Sequence, residues 1–271
     1  MGDTRSGPPQ PHPGRAIAHT TGASGFRSPH RSDSRPPQTP RGVRRPGLDG
    51  RLGTSPPVPG RPTLFLGGLA LLFAFLTWQA AVDTPLRRAD ERLGRAITGS
   101  RFPGGAAEFL ADLGNFVVAV PVLVAVLAYV AWRARRAGTP RWWLPPLAAL
   151  VALAAVPAVI APLKAVVGRA GPPGMEGDGF YPSGHTATAA VAYGAAVLLV
   201  LPWLRDAYVR RELTIGCVVL VVAVGFGLIR RGYHWPLDVA GSLILSAMLL
   251  ITLTVFLRRV GRTGGGRQDG S

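Results

Sequence analysis

Four residues in this chain could act together on an anion. His234 and Asp238 stand four apart in HWPLD, a spacing that lets a carboxylate accept a hydrogen bond from one imidazole nitrogen and fix the ring's tautomer. Pro236 suits the first turn of a helix, so His234 lies just before that helix and the bond needs a tight entry. His185 follows Pro182, Ser183 and Gly184 at the head of a long apolar run. There Ser183 can cap a helix, Gly184 allows close backbone approach, and the free N–H groups at the helix start form an anion site. Lys164 is the only lysine against 29 arginines, a compact ammonium kept where every other fixed positive charge is a guanidinium. A phosphate at this helix start would touch Lys164 and sit between two imidazoles. Each feature also has a plainer explanation: a snorkelling cation, a simple helix cap, an interfacial histidine. Their coincidence is what argues for a site. A zinc held by His185, His234, Asp238 and water is the competing chemistry. A His–Asp pair beside a lysine and a helix N-terminus suits an anion better, so no metal and no cofactor is expected.

These residues need elements that bring them to one level. The 271 residues are 48% hydrophobic and carry a formal charge of +16, unevenly distributed. Residues 1–61 are rich in Pro, Gly, Ser and Arg, lack apolar periodicity, contain His12, His19 and His30, and predict a disordered tail. From Pro62 the chain alternates apolar blocks with short polar loops. Six blocks, at about 63–82, 115–132, 143–163, 185–203, 213–229 and 236–257, each approach the length a membrane-spanning helix needs. The basic loops 133–142 and 204–212, the N-terminal tail and the tail from Arg258 fall on alternate sides of these blocks, which predicts that both termini are cytoplasmic. Loops 83–114, 164–184 and 230–235 then face outward, and they carry Lys164, His185, His234 and Asp238 at or beside their ends. Ionisable groups that converge at a membrane edge are a functional-site signal. The first outer loop could form an interfacial helix with Leu86, Leu93 and Ile97 toward lipid. The pI of about 11.6 reflects the tail and topology-setting loops, with no nucleic-acid motif. Cys217, the only cysteine, excludes an intrachain disulfide. The first apolar block begins too far into the chain for a cleavable signal peptide to be expected.

The segments resemble the phosphatidic acid phosphatase type 2 (PAP2) superfamily, whose membrane members are lipid phosphate phosphatases. The family pattern is Lys-x6-Arg-Pro, Pro-Ser-Gly-His, and Ser-Arg-x5-His-x3-Asp. Here the first motif has Lys164 and Pro172 but Gly171 in place of arginine. The second is complete in Pro182, Ser183, Gly184 and His185. The third has His234 and Asp238 but Gly227 and Leu228 in place of Ser-Arg. The resemblance implies a nucleophilic His234 that forms a phosphohistidine, Asp238 as its orienting carboxylate, and His185 as general acid and then base. It also implies phosphate binding by Lys164, Ser183 and Gly184. Arg169 is the nearest substitute for the first missing arginine, and Arg230 or Arg231 for the second.

The expected fold is all-α, a six-transmembrane-helix bundle over residues 62–258, with a disordered cytoplasmic C-terminal tail over 259–271. The expected activity is hydrolysis of a lipid phosphate or diphosphate at the outer face of a cell membrane, the substrate being phosphatidic acid-like or a polyprenyl diphosphate. The partners implied are that substrate and membrane lipids, with no nucleic acid. The arginine bias and the family type point to a bacterial chain. The missing arginines leave open a catalytically silent relative that binds lipid phosphates. A transporter is disfavoured, because no internal repeat is visible and the ionisable groups lie at span ends.

Overall fold

Leu-, Val- and Ala-rich blocks give helices whose outward faces are apolar, as lipid requires, while the last block turns Asp238, Ser242 and Ser246, four residues apart, into the protein interior. The computed structural model describes residues 61–265, and the tail expected over 1–61 lies outside them apart from Arg61. The described residues form helices α1 (Arg61–Ala81), α2 (Pro85–Thr98), α3 (Gly104–Asp112), α4 (Phe116–Arg136), α5 (Leu144–Val167), α6 (Gly184–Val200), α7 (Ala207–Arg230) and α8 (Pro236–Gly265). No strand occurs among them. α1 and α4–α8 are long and apolar enough to cross a membrane.

α6 is the central helix. Over half of it (56%) is buried, against 11% of α1, and it packs against α4, α5, α7 and α8. Its sequence explains this position. Ala187, Ala189, Ala190, Ala192, Ala195 and Ala196 are all buried, and small residues let neighbouring helices approach closely. A Cβ on Gly194 would lie 2.5 Å from Leu250 Cδ1 of α8.

The boundaries depart from expectation where polar residues extend a helix. α4 runs to Arg136, its last turn carrying Arg133, Arg135 and Arg136, which favour the negative end of the helix dipole. α7 begins at Ala207, inside the expected loop 204–212, because Asp206 caps it by accepting from the Tyr208 N–H at 2.7 Å. α8 continues to Gly265, through the first residues expected as tail.

The segment between α1 and α4 holds two helices. α2 is the expected amphipathic helix, started by Thr84, whose hydroxyl accepts from the Arg87 N–H at 3.1 Å. Leu86 and Leu93 are exposed along it, while Gly94 and Asp90 face inward. α3 was not anticipated and packs on α7. A Cβ on Gly227 of α7 would lie 2.7 Å from the Ala107 carbonyl oxygen of α3, so the glycine at a motif position serves this close approach. Both short helices lie at the bundle end where α5 stops and α6 and α8 begin.

Candidate active site

α5 delivers Lys164 in its last turn and ends at Gly168, whose φ of 54° lies in the left-handed region that glycine adopts without strain. The chain then loops to Ser183, which caps α6. Its Oγ accepts from the Thr186 N–H at 3.3 Å and from the Thr186 hydroxyl at 3.0 Å. Ser183 is fully buried and its backbone is held as well: its N–H donates to the Asp238 carbonyl at 3.1 Å, and its carbonyl accepts from Ser242 Oγ at 2.7 Å. The cap therefore joins α6 to α8. The first-turn N–H groups of Gly184 and His185 have no acceptor within the helix, as at any helix start. A Cβ on Gly184 would meet only open space, so the backbone there can be approached closely.

His234 precedes α8 and is 7% exposed. Its Nδ1 lies 3.3 Å from Asp238 Oδ2, and Phe180 meets its ring edge-on with centroids 6.0 Å apart. The tight entry arises because Asp238 Oδ2 also accepts the Trp235 N–H at 2.9 Å, drawing the chain in front of the helix toward its first turn. Trp235 is locked in turn, its indole N–H donating to the Ala170 carbonyl at 3.1 Å.

Lys164, Gly184, His185 and His234 line one cavity of about 810 Å³ at this end of the bundle. The structure thus brings together the lysine and both imidazoles. Ser183 and Asp238 stand behind the wall, one capping the helix and the other backing the imidazole. The wall also carries Glu108, Asp112, Glu176 and Asp178, which sequence reasoning did not single out. Leu228 lines the cavity at a motif position where the family has arginine.

The three arginines expected as substitutes do not line this cavity. Arg230 donates to the carbonyls of Phe102 (2.7 and 3.0 Å) and Thr98 (2.6 Å), tying α7 to the end of α2 and the following loop. Arg231 pairs with Glu108, which also accepts from the Tyr233 hydroxyl at 2.9 Å. Arg169 is 1% exposed and lies behind His234. Its Nη1 donates to Asp238 Oδ1 at 2.7 Å and its Nη2 donates to Asp90 of α2. Each guanidinium already has acceptors, so a phosphate would have to compete with them.

Asp90 was missed by the sequence reading, since a lone carboxylate in a charged amphipathic helix carries no distinguishing signal. Its Oδ1 accepts the Leu237 N–H at 2.7 Å, satisfying a first-turn donor of α8 from another helix. Burial pushes the Asp90 carboxyl up from its ordinary value, against the opposing pull of Arg169 and the Leu237 N–H. Among the described residues, no group of three His, Cys, Asp or Glu side chains is arranged to hold a metal ion. Asp238 has both oxygens engaged by hydrogen-bond donors, which leaves it a poor ligand.

No curated protein matches the chain. A crystal structure of a transmembrane PAP2-type phosphatidylglycerolphosphate phosphatase from Bacillus subtilis superposes with a TM-score of 0.63 at 24% identity, covering 72% of this chain and 96% of that one. Residues 145–262, which include Lys164, His185, His234 and Asp238, match the family model of the PAP2 superfamily. With six helices long and apolar enough to cross a membrane, the chain is a multi-pass membrane protein that shares its fold with that phosphatase, and its residues 145–262 are similar to the PAP2 superfamily.

Proposed function

We propose that this protein is a membrane phosphatase that hydrolyses a lipid phosphate or diphosphate through a phosphohistidine, without a metal. The observation that carries the reading is the His234–Asp238 pair on the wall of a cavity shared with His185 and Lys164. With Nδ1 turned to Asp238, Nε2 is the nitrogen left to attack. In the first step the Nε2 lone pair forms a bond to phosphorus and the bond from phosphorus to the leaving oxygen breaks. His185 gives its proton to that oxygen. In the second step water attacks the phosphohistidine, His185 takes a proton from the water, and the N–P bond breaks to release inorganic phosphate. Lys164 and the Gly184 and His185 N–H groups supply fixed positive character for the phosphoryl oxygens. Asp238 steadies the positive charge that develops on the His234 ring.

A lipid substrate is supported by a groove of about 460 Å³ that shares Phe116, Lys164, Gly184 and Thr188 with the catalytic cavity. It follows α5 along Leu150, Leu153, Val156, Pro157 and Ile160. The helical rise from Leu150 to Lys164 is about 21 Å, room for a long hydrocarbon chain below the headgroup. The outer face is favoured because the arginine-rich ends of α4 and α8 and the start of α7 lie away from the cavity end of the bundle.

Leu228 and the four wall carboxylates favour a second reading, a silent member that binds lipid phosphates weakly. Phosphate release by purified protein from a panel of lipid phosphates and diphosphates separates the two. Activity lost in both His234→Ala and His185→Ala supports catalysis. Activity that persists in both rules out the mechanism, and no release from any substrate favours the silent reading.

A further inference from the structure

We infer that Arg169 and Asp90 are positioning residues that hold the Asp238 carboxylate and thereby the tautomer of His234, an inference that rests on the reaction proposed above. Asp90, Arg169 and Asp238 come from α2, the α5–α6 loop and α8, and their side chains are 4%, 0% and 0% exposed. Three buried charges on separate elements carry a desolvation cost that hydrophobic residues of similar volume would not. Their arrangement has a chemical consequence. Arg169 takes Oδ1 of Asp238, so only Oδ2 faces the imidazole and the carboxylate plane cannot turn. Arg169 alone would cancel the negative charge that Asp238 must present to a developing imidazolium. Asp90, on the other arm of the guanidinium, returns the group to a net charge of −1. The guanidinium commits its two terminal nitrogens to the two carboxylates and leaves its buried Nε without a partner.

Residue 169 holds the opposite side of the imidazole as well. Its carbonyl accepts the Gly179 and Phe180 N–H groups at 2.9 and 3.0 Å, and the Phe180 ring packs edge-on to His234. Its guanidinium also lies over the Trp235 ring, 5.8 Å from the centroid. The charged and titratable groups facing His234 are Asp238 on α8 with Arg169 and Asp90 behind it, His185 on α6, Lys164 on α5, and Tyr233, Glu108, Asp112, Glu176 and Asp178 on the cavity wall. Among these, the three-residue bridge is the group whose hydrogen bonding reaches His234 Nδ1.

The test compares wild type with Asp90→Asn and Arg169→Lys. Asn keeps the shape at position 90 without the charge, and Lys cannot bridge two carboxylates as a fork does. The full-length protein, labelled with 15N-histidine in detergent, reports the tautomer directly, with His234 assigned by its loss in His234→Gln. Wild type is expected to show His234 protonated on Nδ1 alone, and both variants a mixture of tautomers. In the lipid phosphate assay, kcat is expected to fall about tenfold or more while KM stays within about twofold. A fall in kcat with an unchanged tautomer, or a mixed tautomer with unchanged kcat, overturns the inference. Failure of both variants to fold also overturns it, making the bridge a folding element. If wild type releases no phosphate, the proposed function falls while the tautomer measurement still decides whether the bridge positions His234.

Discussion

Phe180 occupies the space that a side chain on residue 171 would need: a Cβ on Gly171 would lie 2.6 Å from its Cε2 and Cζ atoms. The glycine at this motif position and the aromatic ring against His234 are therefore one feature. Restoring the family residue by Gly171→Arg is expected to lower activity, because it displaces the ring that borders the imidazole. Overpacking of this kind costs about 1–3 kcal/mol. The checks are the melting temperature and kcat, and Gly171→Arg with Phe180→Ala is expected to recover part of both. A single Gly171→Arg variant more active than wild type would show that the guanidinium finds the cavity by another route.

Asp238→Asn removes the charge behind His234 and retains much of the shape. On the reaction proposed, kcat should drop on the order of a thousandfold or more, as when a triad loses its orienting carboxylate. Detergent-solubilised protein of unchanged size-exclusion profile is the material for the measurement. A loss below about tenfold would mean that the carboxylate does not govern the nucleophile.

Gly94 of α2 lies against Trp235, where a Cβ would come 2.6 Å from the indole Cε3. Gly94→Ala forces the indole away, strains its bond to the Ala170 carbonyl, and disturbs the residue next to His234. A stability loss of about 1–3 kcal/mol is expected, together with reduced activity. Thermal unfolding followed by tryptophan fluorescence, beside the phosphate-release assay, checks both effects.

The groove beside α5 predicts a dependence on chain length. Ala154 lines it and is exposed, so Ala154→Trp fills the path without rearranging the core. Hydrolysis of a long-chain lipid phosphate should fall about tenfold, as several methylenes lose their apolar surroundings, while a short-chain soluble phosphate ester is unaffected. Equal loss on both substrates would place the hydrocarbon elsewhere.

Chelation bears on the chemistry directly. Asp238 gives one oxygen to Arg169 and the other to the Trp235 N–H and His234, so neither is open to a cation. Phosphate release is expected to continue in EDTA. Its abolition by EDTA and return on adding zinc would transfer the role of His185, His234 and Asp238 to a metal site.

What the sequence by itself determined follows from properties that are local along the chain. Hydropathy sums over neighbouring residues, so six apolar runs read directly as six helices. Because successive spans reverse direction, Lys164, His185 and His234 could be placed at one end of the bundle before any packing was known. Capping is local too, which made Ser183 legible as the start of α6. The tertiary structure decided the partners of the arginines. Arg169 meets Asp238 and Asp90 across 69 and 79 residues of chain, and Arg230 reaches Phe102 across 128. Such pairings depend on the faces that helices turn toward one another, which the crossing of packed helices sets and no spacing in the chain records. For the same reason α3, the carboxylates of the cavity wall and the bridge behind His234 came into view only once α2, α3, α5, α6, α7 and α8 were assembled around one end of the bundle.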